Sequence, residues 1–312
     1  MHTDIDALLR EIARDVQPLL AEGRVADYIP ALSLVPREQF GIAVATVDGR
    51  LYGAGDSERR FSIQSLSKMY ALALALQREG DALWQRVGRE PSGTPFNSLV
   101  QLERERGVPR NPFVNAGALV VVDVLCRRYL QPERAVLELV HRLLGEASVA
   151  IDGDVARSER EHSDRNAAIA HFMRSFGNLH GDVAALLDAY CAQCAIAMSC
   201  SELARASLFL AADGAQPRGA RVVDALAARR IGALMLTCGA YDAAGDLACR
   251  IGLPIKTGVG GGIVAIVPGR LCVCAWAPGL DANGNSIAAA AAIERFAAAI
   301  GASIFAGDTP RD

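Results

Sequence analysis

No uncharged apolar run in this 312-residue chain reaches the roughly 18 residues of a membrane span; the Ala-rich stretch from Ile287 is cut by Glu294 and Arg295. A large charge of one sign is also missing. The formal net charge of −3 gives no electrostatic reason to expect nucleic acid or an anionic membrane as a partner. The N-terminus lacks the pattern of a signal peptide, because Met1 to Leu20 is acidic and amphipathic, with Ile5, Leu8, Leu9, Ile12 and Val16 at helical spacing. A cytoplasmic protein is expected. The five histidines are scattered and none forms H-E-x-x-H, so metal catalysis is not expected. Eight cysteines without an export signal read as reduced thiols rather than a disulfide framework. Cys191 and Cys194 form a C-x-x-C, but they fall in the apolar segment Leu186 to Met198, expected to be helical, with no second ligand pair nearby. Core packing is the better reading. Repeats, linkers and low-complexity segments are absent apart from the Ala-rich final stretch. What remains, at 51% hydrophobic and 21% charged, is a soluble globular chain of one large or two interleaved domains.

Strand signals cluster at the two ends. Gly41 to Val47 and Arg50 to Tyr52 flank Asp48-Gly49, the mark of a hairpin. Ile263 to Val267 and Leu271 to Trp276 flank Pro268-Gly269-Arg270 in the same way. Between them the periodicity is mainly helical: Ala118 to Leu130, Pro132 to Leu144, Asn166 to Phe176, Val183 to Met198 and Ser201 to Ala211. Strands are expected to return only near Lys256, and Ser286 to Ile300 makes a closing helix. Arg89 to Asn97 is rich in turn formers and reads as a loop, either a lid or a surface connection. The order predicts an antiparallel sheet built from both chain ends, with flanking helices and an inserted all-helical domain. The α/β part should take about 1–64 and 220–312, and the helical part about 65–219.

Chemistry enters at Phe61-Ser62-Ile63-Gln64-Ser65-Leu66-Ser67-Lys68, which runs into the apolar segment Met69 to Leu76. It reads as a helix opening on a nucleophile. There, unpaired backbone N–H groups and the positive end of the macrodipole favour developing negative charge. Residues three apart share a helix face, so the Lys68 amine can reach the Ser65 hydroxyl and, if neutral, take its proton. The second anchor is Lys256-Thr257-Gly258-Val259-Gly260-Gly261-Gly262, whose glycines let another backbone or a substrate come close. Ser-x-x-Lys and Lys-Thr-Gly together mark class A β-lactamases and penicillin-binding proteins, but their Ser-Asp-Asn is missing here.

A larger set of segments points to one family. Tyr28-Ile29-Pro30; Gln64-Ser65 with Lys68; Glu90-Pro91-Ser92-Gly93 with Phe96-Asn97; Asn111-Pro112 with Val114-Asn115-Ala116-Gly117-Ala118; Ser158-Glu159-Arg160-Glu161 with Asp164-Arg165-Asn166; Cys238-Gly239 with Tyr241-Asp242; and Lys256-Thr257-Gly258-Val259 resemble the serine-dependent glutaminases from about Asp27 to Ser286. The resemblance implies a β-lactamase/DD-peptidase-like fold and conversion of L-glutamine and water to L-glutamate and ammonia, without metal or organic cofactor. It also implies a homodimer or homotetramer. Departures are mild: Lys-Thr-Gly where some members have Lys-Ser-Gly, and His162-Ser163 where others carry small residues. The long N-terminal region and ankyrin repeats of the animal enzymes have no counterpart here, so regulation seated there is not expected.

For the site, the resemblance implies Ser65, Lys68 and Tyr241 as catalytic residues, with the backbone N–H groups of Ser65 and Val259 as the oxyanion hole. It assigns Tyr28, Gln64, Asn115, Glu159, Asn166 and Tyr190, besides Ser65, Tyr241 and Val259, to the substrate. The chemistry suits a free amino acid. Glu159 supplies a counter-charge for the ammonium, and Asn115, Asn166 and Tyr190 can donate to the carboxylate. Taken singly, these residues fit duller roles. Glu159 stands among Arg157, Arg160 and Arg165 like a solvated ion-pair cluster, Asn115 could cap a helix, and Tyr190 has core spacing. Residue types alone leave open whether Lys68 or Tyr241 is the base. Two other classes compete: another acyl-enzyme hydrolase such as a β-lactamase, disfavoured by the missing Ser-Asp-Asn, and a ligand-binding domain that would have no need of Ser65, Lys68, Tyr241 and Lys256.

Overall fold

The computed structural model describes residues 4–93, 99–216 and 219–306. Its strands are β1 (Gly41–Thr46), β2 (Leu51–Gly55), β3 (Phe61–Ser62), β4 (Ala150–Ile151), β5 (Ile196–Met198), β6 (Ile255–Thr257), β7 (Gly262–Val267) and β8 (Leu271–Trp276). Five of them make one antiparallel sheet in the order β2-β1-β8-β7-β6. Both expected hairpins are present, and the chain ends meet where β1 pairs with β8, Val44 opposite Val273.

Strands β1, β7 and β8 are buried along their whole length, which explains why they read as continuous apolar runs. Alternate residues serve opposite faces. Ile42, Val44, Ile263, Ala265, Val273 and Ala275 pack with Leu9 and Ile12 of the N-terminal helix Ile5–Asp15 and with Ile293 and Phe296 of the closing helix Ile287–Ala299. Ala43, Ala45, Val264, Ile266, Cys272 and Cys274 face the helical part instead. There the helix Cys200–Ala211 lies on the sheet, begun by a capping box of Ser199 and Glu202. Behind it runs the helix Ser67–Glu79, buried on all sides from Ser67 to Leu76. That is why its sequence shows no polar stripe.

Several boundaries differ from the sequence reading. The segment expected as one helix from Val183 to Met198 ends at Cys194 and continues as β5. β5 pairs with β3 and β4 in a second, three-stranded sheet, so the inserted part is not all-helical and strands do not wait for Lys256. Strands of two or three residues are too short to show alternation. The helix Gly153–Glu161, opened by Asp152 as N-cap, and the helices Ala225–Cys238 and Ala244–Ile251 are additional to those expected from the sequence. The loop expected over 89–97 is described only to Gly93, and its Thr94-Pro95-Phe96-Asn97 lies outside the described residues. Among the described residues, no helix is long and apolar enough to cross a membrane.

Two glycines mark backbone contacts that no side chain could occupy. A Cβ on Gly117 would lie 1.9 Å from the Asn111 carbonyl oxygen, and one on Gly239 1.7 Å from that of Ile255. Gly117→Ala should therefore destabilise the protein by about 2 kcal/mol or more through overpacking. Gly232→Ala, in a helix with nothing within 4 Å, should be neutral or slightly stabilising. Thermal denaturation checks the pair; equal melting temperatures would show that Gly117 has room to move.

Candidate active site

Ser65 does not stand in the first turn of an α-helix. It sits on a 3₁₀ turn, Gln64–Leu66, and the α-helix starts at Ser67. Gln64 carries φ 49°, a left-handed conformation that costs a non-glycine residue about 1–3 kcal/mol and is characteristic of functional sites. The glycine loop after β6 presses against this turn. A Cβ on Gly258 would lie 2.8 Å from the Ile63 carbonyl oxygen and 3.4 Å from the Ser65 nitrogen, and one on Gly260 2.2 Å from the Ser62 carbonyl oxygen. Val259 lies between these two close approaches. Trp276 fixes the loop by donating its indole N–H to the Gly260 carbonyl (2.9 Å) while stacking on Phe61.

Two buried lysines and a tyrosine surround the serine. Lys68 Nζ donates to the Phe113 carbonyl (3.0 Å) and to Asn115 Oδ1 (2.8 Å). Burial pushes its ammonium down to about 8, with Cys194 and Glu159 pulling weakly upward. Lys256 is driven well below the ordinary lysine range by burial and by the charge of Lys68. It donates to the carbonyls of Gly239 (3.1 Å) and Thr257 (2.5 Å) and lies over the ring of Tyr241, 5.1 Å from its centre. Tyr241 is the second residue here in the left-handed region, at φ 52°. Burial raises its phenol to about 12, while interactions with the Ser65 and Thr257 side chains pull it down. Tyr241 is thus a direct neighbour of the Ser65 hydroxyl.

Glu159 is not part of a solvated arginine cluster. Arg157 pairs with Asp154 and Arg160 with Asp188, both on the surface, while Glu159 turns inward and is 7% exposed. Gln64 Nε2 donates to its Oε2 (3.1 Å). Burial pushes the Glu159 carboxyl up to about 7, against the opposing pulls of the Gln64 amide, the Lys68 charge and the Cys194 thiol. Asn115 is the first residue of the helix Asn115–Cys126, whose N-cap is Val114, so its side chain is free of capping duty. Its Nδ2 donates to Asn166 Oδ1 (3.0 Å), and its Oδ1 accepts from Lys68 and, at 3.4 Å, from the Tyr190 hydroxyl. Tyr28 stands at the rim with half of its side chain exposed, and partial burial raises its phenol well above the ordinary range, Tyr241 and Glu159 adding to the rise. Its segment is tied to the Glu159 helix by the Ala31 N–H donating to Ser158 Oγ (3.3 Å).

Contacts thus link Gln64 with Glu159, Lys68 and Tyr190 with Asn115, and Asn115 with Asn166, while Val259 and Tyr241 share one apolar cluster and Tyr28 and Val259 line one pocket. The tertiary structure adds residues that sequence reasoning did not assign. Phe113 offers its carbonyl to Lys68, Thr257 meets Tyr241, and Cys194 lies among Glu159, Lys68 and Tyr190. Cys194 follows Tyr190 by one helical turn, a spacing that places both on one face. Both cysteines of the C-x-x-C are buried free thiols, as the core-packing reading expected. Among the described residues, no group of three or more His, Cys, Asp or Glu could hold a metal ion.

Comparison with known proteins agrees on one family. A family model described as Glutaminase matches residues 23–305. A glutaminase of Paraburkholderia phytofirmans is 57% identical over 300 residues, covering 96% of this chain and 99% of its own. Among solved structures, a probable glutaminase superposes with a TM-score of 0.90 at 37% identity, over 96% of this chain and 99% of that one. The structure of Mglu in its glutamate form superposes with a TM-score of 0.92 at 34% identity, over 99% of this chain and 71% of that one.

Proposed function

The chain belongs to the glutaminase family and is a glutaminase, and from that premise we propose that it hydrolyses L-glutamine to L-glutamate and ammonia through a γ-glutamyl ester on Ser65. The observation that carries this reading is a buried serine on a strained turn, in contact with Tyr241 and followed one turn later by a lysine pushed down to about 8. Ser65 Oγ attacks the side-chain amide carbon. The tetrahedral oxyanion is held by the backbone N–H groups of Ser65 and Val259, each such donor being worth about 3 kcal/mol of barrier.

The proton released by Ser65 goes to the cheaper of two bases. At pH 7, deprotonating a lysine at about 8 costs roughly 1.4 kcal/mol, whereas deprotonating a tyrosine at about 12 costs roughly 7 kcal/mol. Lys68, which follows Ser65 by one helical turn, is the base in this reading. Tyr241, touching Ser65, is the relay that returns a proton to the departing ammonia. Water then attacks the ester carbon and the transfers run in reverse, releasing glutamate and restoring the serine.

Recognition uses both charges of the free amino acid. Glu159, ionised, pairs the ammonium, and the Asn115, Asn166 and Tyr190 group holds the carboxylate. With Asn166 Oδ1 already accepting from Asn115, its amide N–H groups are what it offers. Tyr28 and Gln64 are assigned to the same substrate in this reading. A glutamate form of the similar Mglu structure supports a site shaped for this amino acid. The cytoplasmic location, the homodimer or homotetramer, and the division into an α/β part and a helical part belong to the same reading.

Substrate choice tests it. Glutamine, N-acetylglutamine, asparagine and benzylpenicillin are offered at equal concentration, with mass spectrometry of the protein alongside. Losing one partner of a desolvated ion pair costs roughly 2–5 kcal/mol, so N-acetylglutamine should fall by well over tenfold in kcat/KM. Asparagine, one methylene shorter, places its amide short of Ser65 and should turn over slowly. Benzylpenicillin should leave Ser65 unmodified. Fast turnover of N-acetylglutamine, or a penicilloyl adduct on Ser65, would show that Glu159 and its neighbours are wrongly assigned.

A further inference from the structure

A single hydroxyl proton governs how Glu159 is held. Ser62 Oγ donates to the Cys194 carbonyl (3.0 Å), and Gln64 Nε2 donates to both Ser62 Oγ (2.9 Å) and Glu159 Oε2 (3.1 Å). Ser62, Gln64, Cys194 and Glu159 are all buried. The Cys194 carbonyl is open to Ser62 because Cys194 ends the helix Val183–Cys194, whose last four carbonyls have no intrahelical partner. A serine hydroxyl has one hydrogen. With that hydrogen committed to Cys194, the oxygen can only accept from Gln64, so the amide must present its NH₂ end. Reversed, Gln64 Oε1 would face the Ser62 oxygen and the Glu159 carboxylate together, two acceptor–acceptor contacts in a buried site.

The small sheet sets these distances. Ser62 on β3 lies opposite Ala197 on β5, and Ala197 lies opposite Ala150 on β4, just before the helix that carries Glu159. The Ser65 turn has backbone anchors of its own: Ile63 N–H donates to the Ile196 carbonyl (2.9 Å) and Leu66 N–H to that of Ile63 (3.0 Å). Removing the Ser62 hydroxyl therefore releases the Gln64 amide while leaving the nucleophile presented.

We propose that Ser62 is a positioning residue for the glutaminase reaction, acting through Gln64 to fix the Glu159 carboxylate where the substrate ammonium is paired. The proposal rests on the reading of Glu159 as that ammonium's partner. Steady-state kinetics with glutamine on Ser62→Ala, Ser62→Thr, Gln64→Ala, the Ser62→Ala/Gln64→Ala double variant and Glu159→Gln test it. Ser62→Ala should raise KM about tenfold or more, the scale of a hydrogen bond to a charged group, with kcat changed less than about threefold. It should also move the acid limb of kcat/KM to higher pH. Ser62→Thr, which keeps the hydroxyl, should recover most of the loss, and in the Gln64→Ala background Ser62→Ala should add nothing further. If Ser62→Ala does not fold, Ser62→Cys, similar in volume with a weaker donor and acceptor, should raise KM in the same direction. Unchanged KM in Ser62→Ala or Ser62→Cys, or fully additive losses in the double variant, overturns the proposal. Unchanged KM in Glu159→Gln overturns the ammonium assignment itself, a failure visible without any Ser62 variant.

Discussion

Ser65→Ala is expected to abolish ammonia release from glutamine, by about 10⁴-fold or more, while glutamate binding stays largely intact. The size follows from the mechanism, since without the hydroxyl no ester forms and only positioning and the oxyanion donors remain. The fold should tolerate the change. Ser65 is small, the turn is held by backbone hydrogen bonds, and the exchange removes one oxygen from a side chain that already borders the cleft. Ammonia release by a coupled assay and glutamate binding by calorimetry give the two readings. Near-normal ammonia release would sink the serine mechanism, and lost glutamate binding with an unchanged melting temperature would assign Ser65 to binding instead.

Lys68→Ala and Tyr241→Phe should each lower kcat by orders of magnitude, and together by less than the product of the two. Their placement is the reason. Tyr241 interacts with the Ser65 side chain and Lys68 stands in the following helix turn with its ammonium lowered by burial, so removing either interrupts one path. Independent, fully multiplicative losses would mean that the two act separately. The same assignment fixes the pH dependence. Lys68 must be neutral to act as base, so kcat/KM should rise about tenfold per pH unit below about 8 and level off above it. Glu159 must be ionised to pair the ammonium, so below about 7 its protonation should steepen the fall. A profile that falls between pH 6 and 8 would exclude Lys68 as the base.

Much of the site was legible in the residues, yet several local readings were wrong. A 3₁₀ turn and an α-helix start share the same apolar continuation, so the sequence does not separate the Ser65 turn from a helical first turn; only the backbone shows the break at Ser67. The helix carrying Glu159 gives little sequence signal because Gly153–Glu161 is short and highly charged, with Val155 its one large apolar residue. β4 and β5 leave no strand signal because two or three residues cannot display alternation. Those two strands nonetheless bring Glu159 beside Gln64.

By itself the sequence determined the sheet joined from both chain ends, the two hairpins, and a Ser-x-x-Lys segment paired with a Lys-Thr-Gly segment. Each is a local pattern of period, turn residues or spacing, and such patterns act over a few residues. Only the tertiary structure decided that Glu159 leaves its arginine neighbours and is buried, that Asn115 binds Lys68 and Asn166 rather than capping its helix, and that Cys194 lies in the site. These are questions of which side chain loses water and what replaces it. Desolvation is set by segments distant in the chain: burial, outweighing the opposing pulls of neighbouring groups, moves Lys68 down to about 8 and Glu159 up to about 7, and no pattern within either segment carries that information.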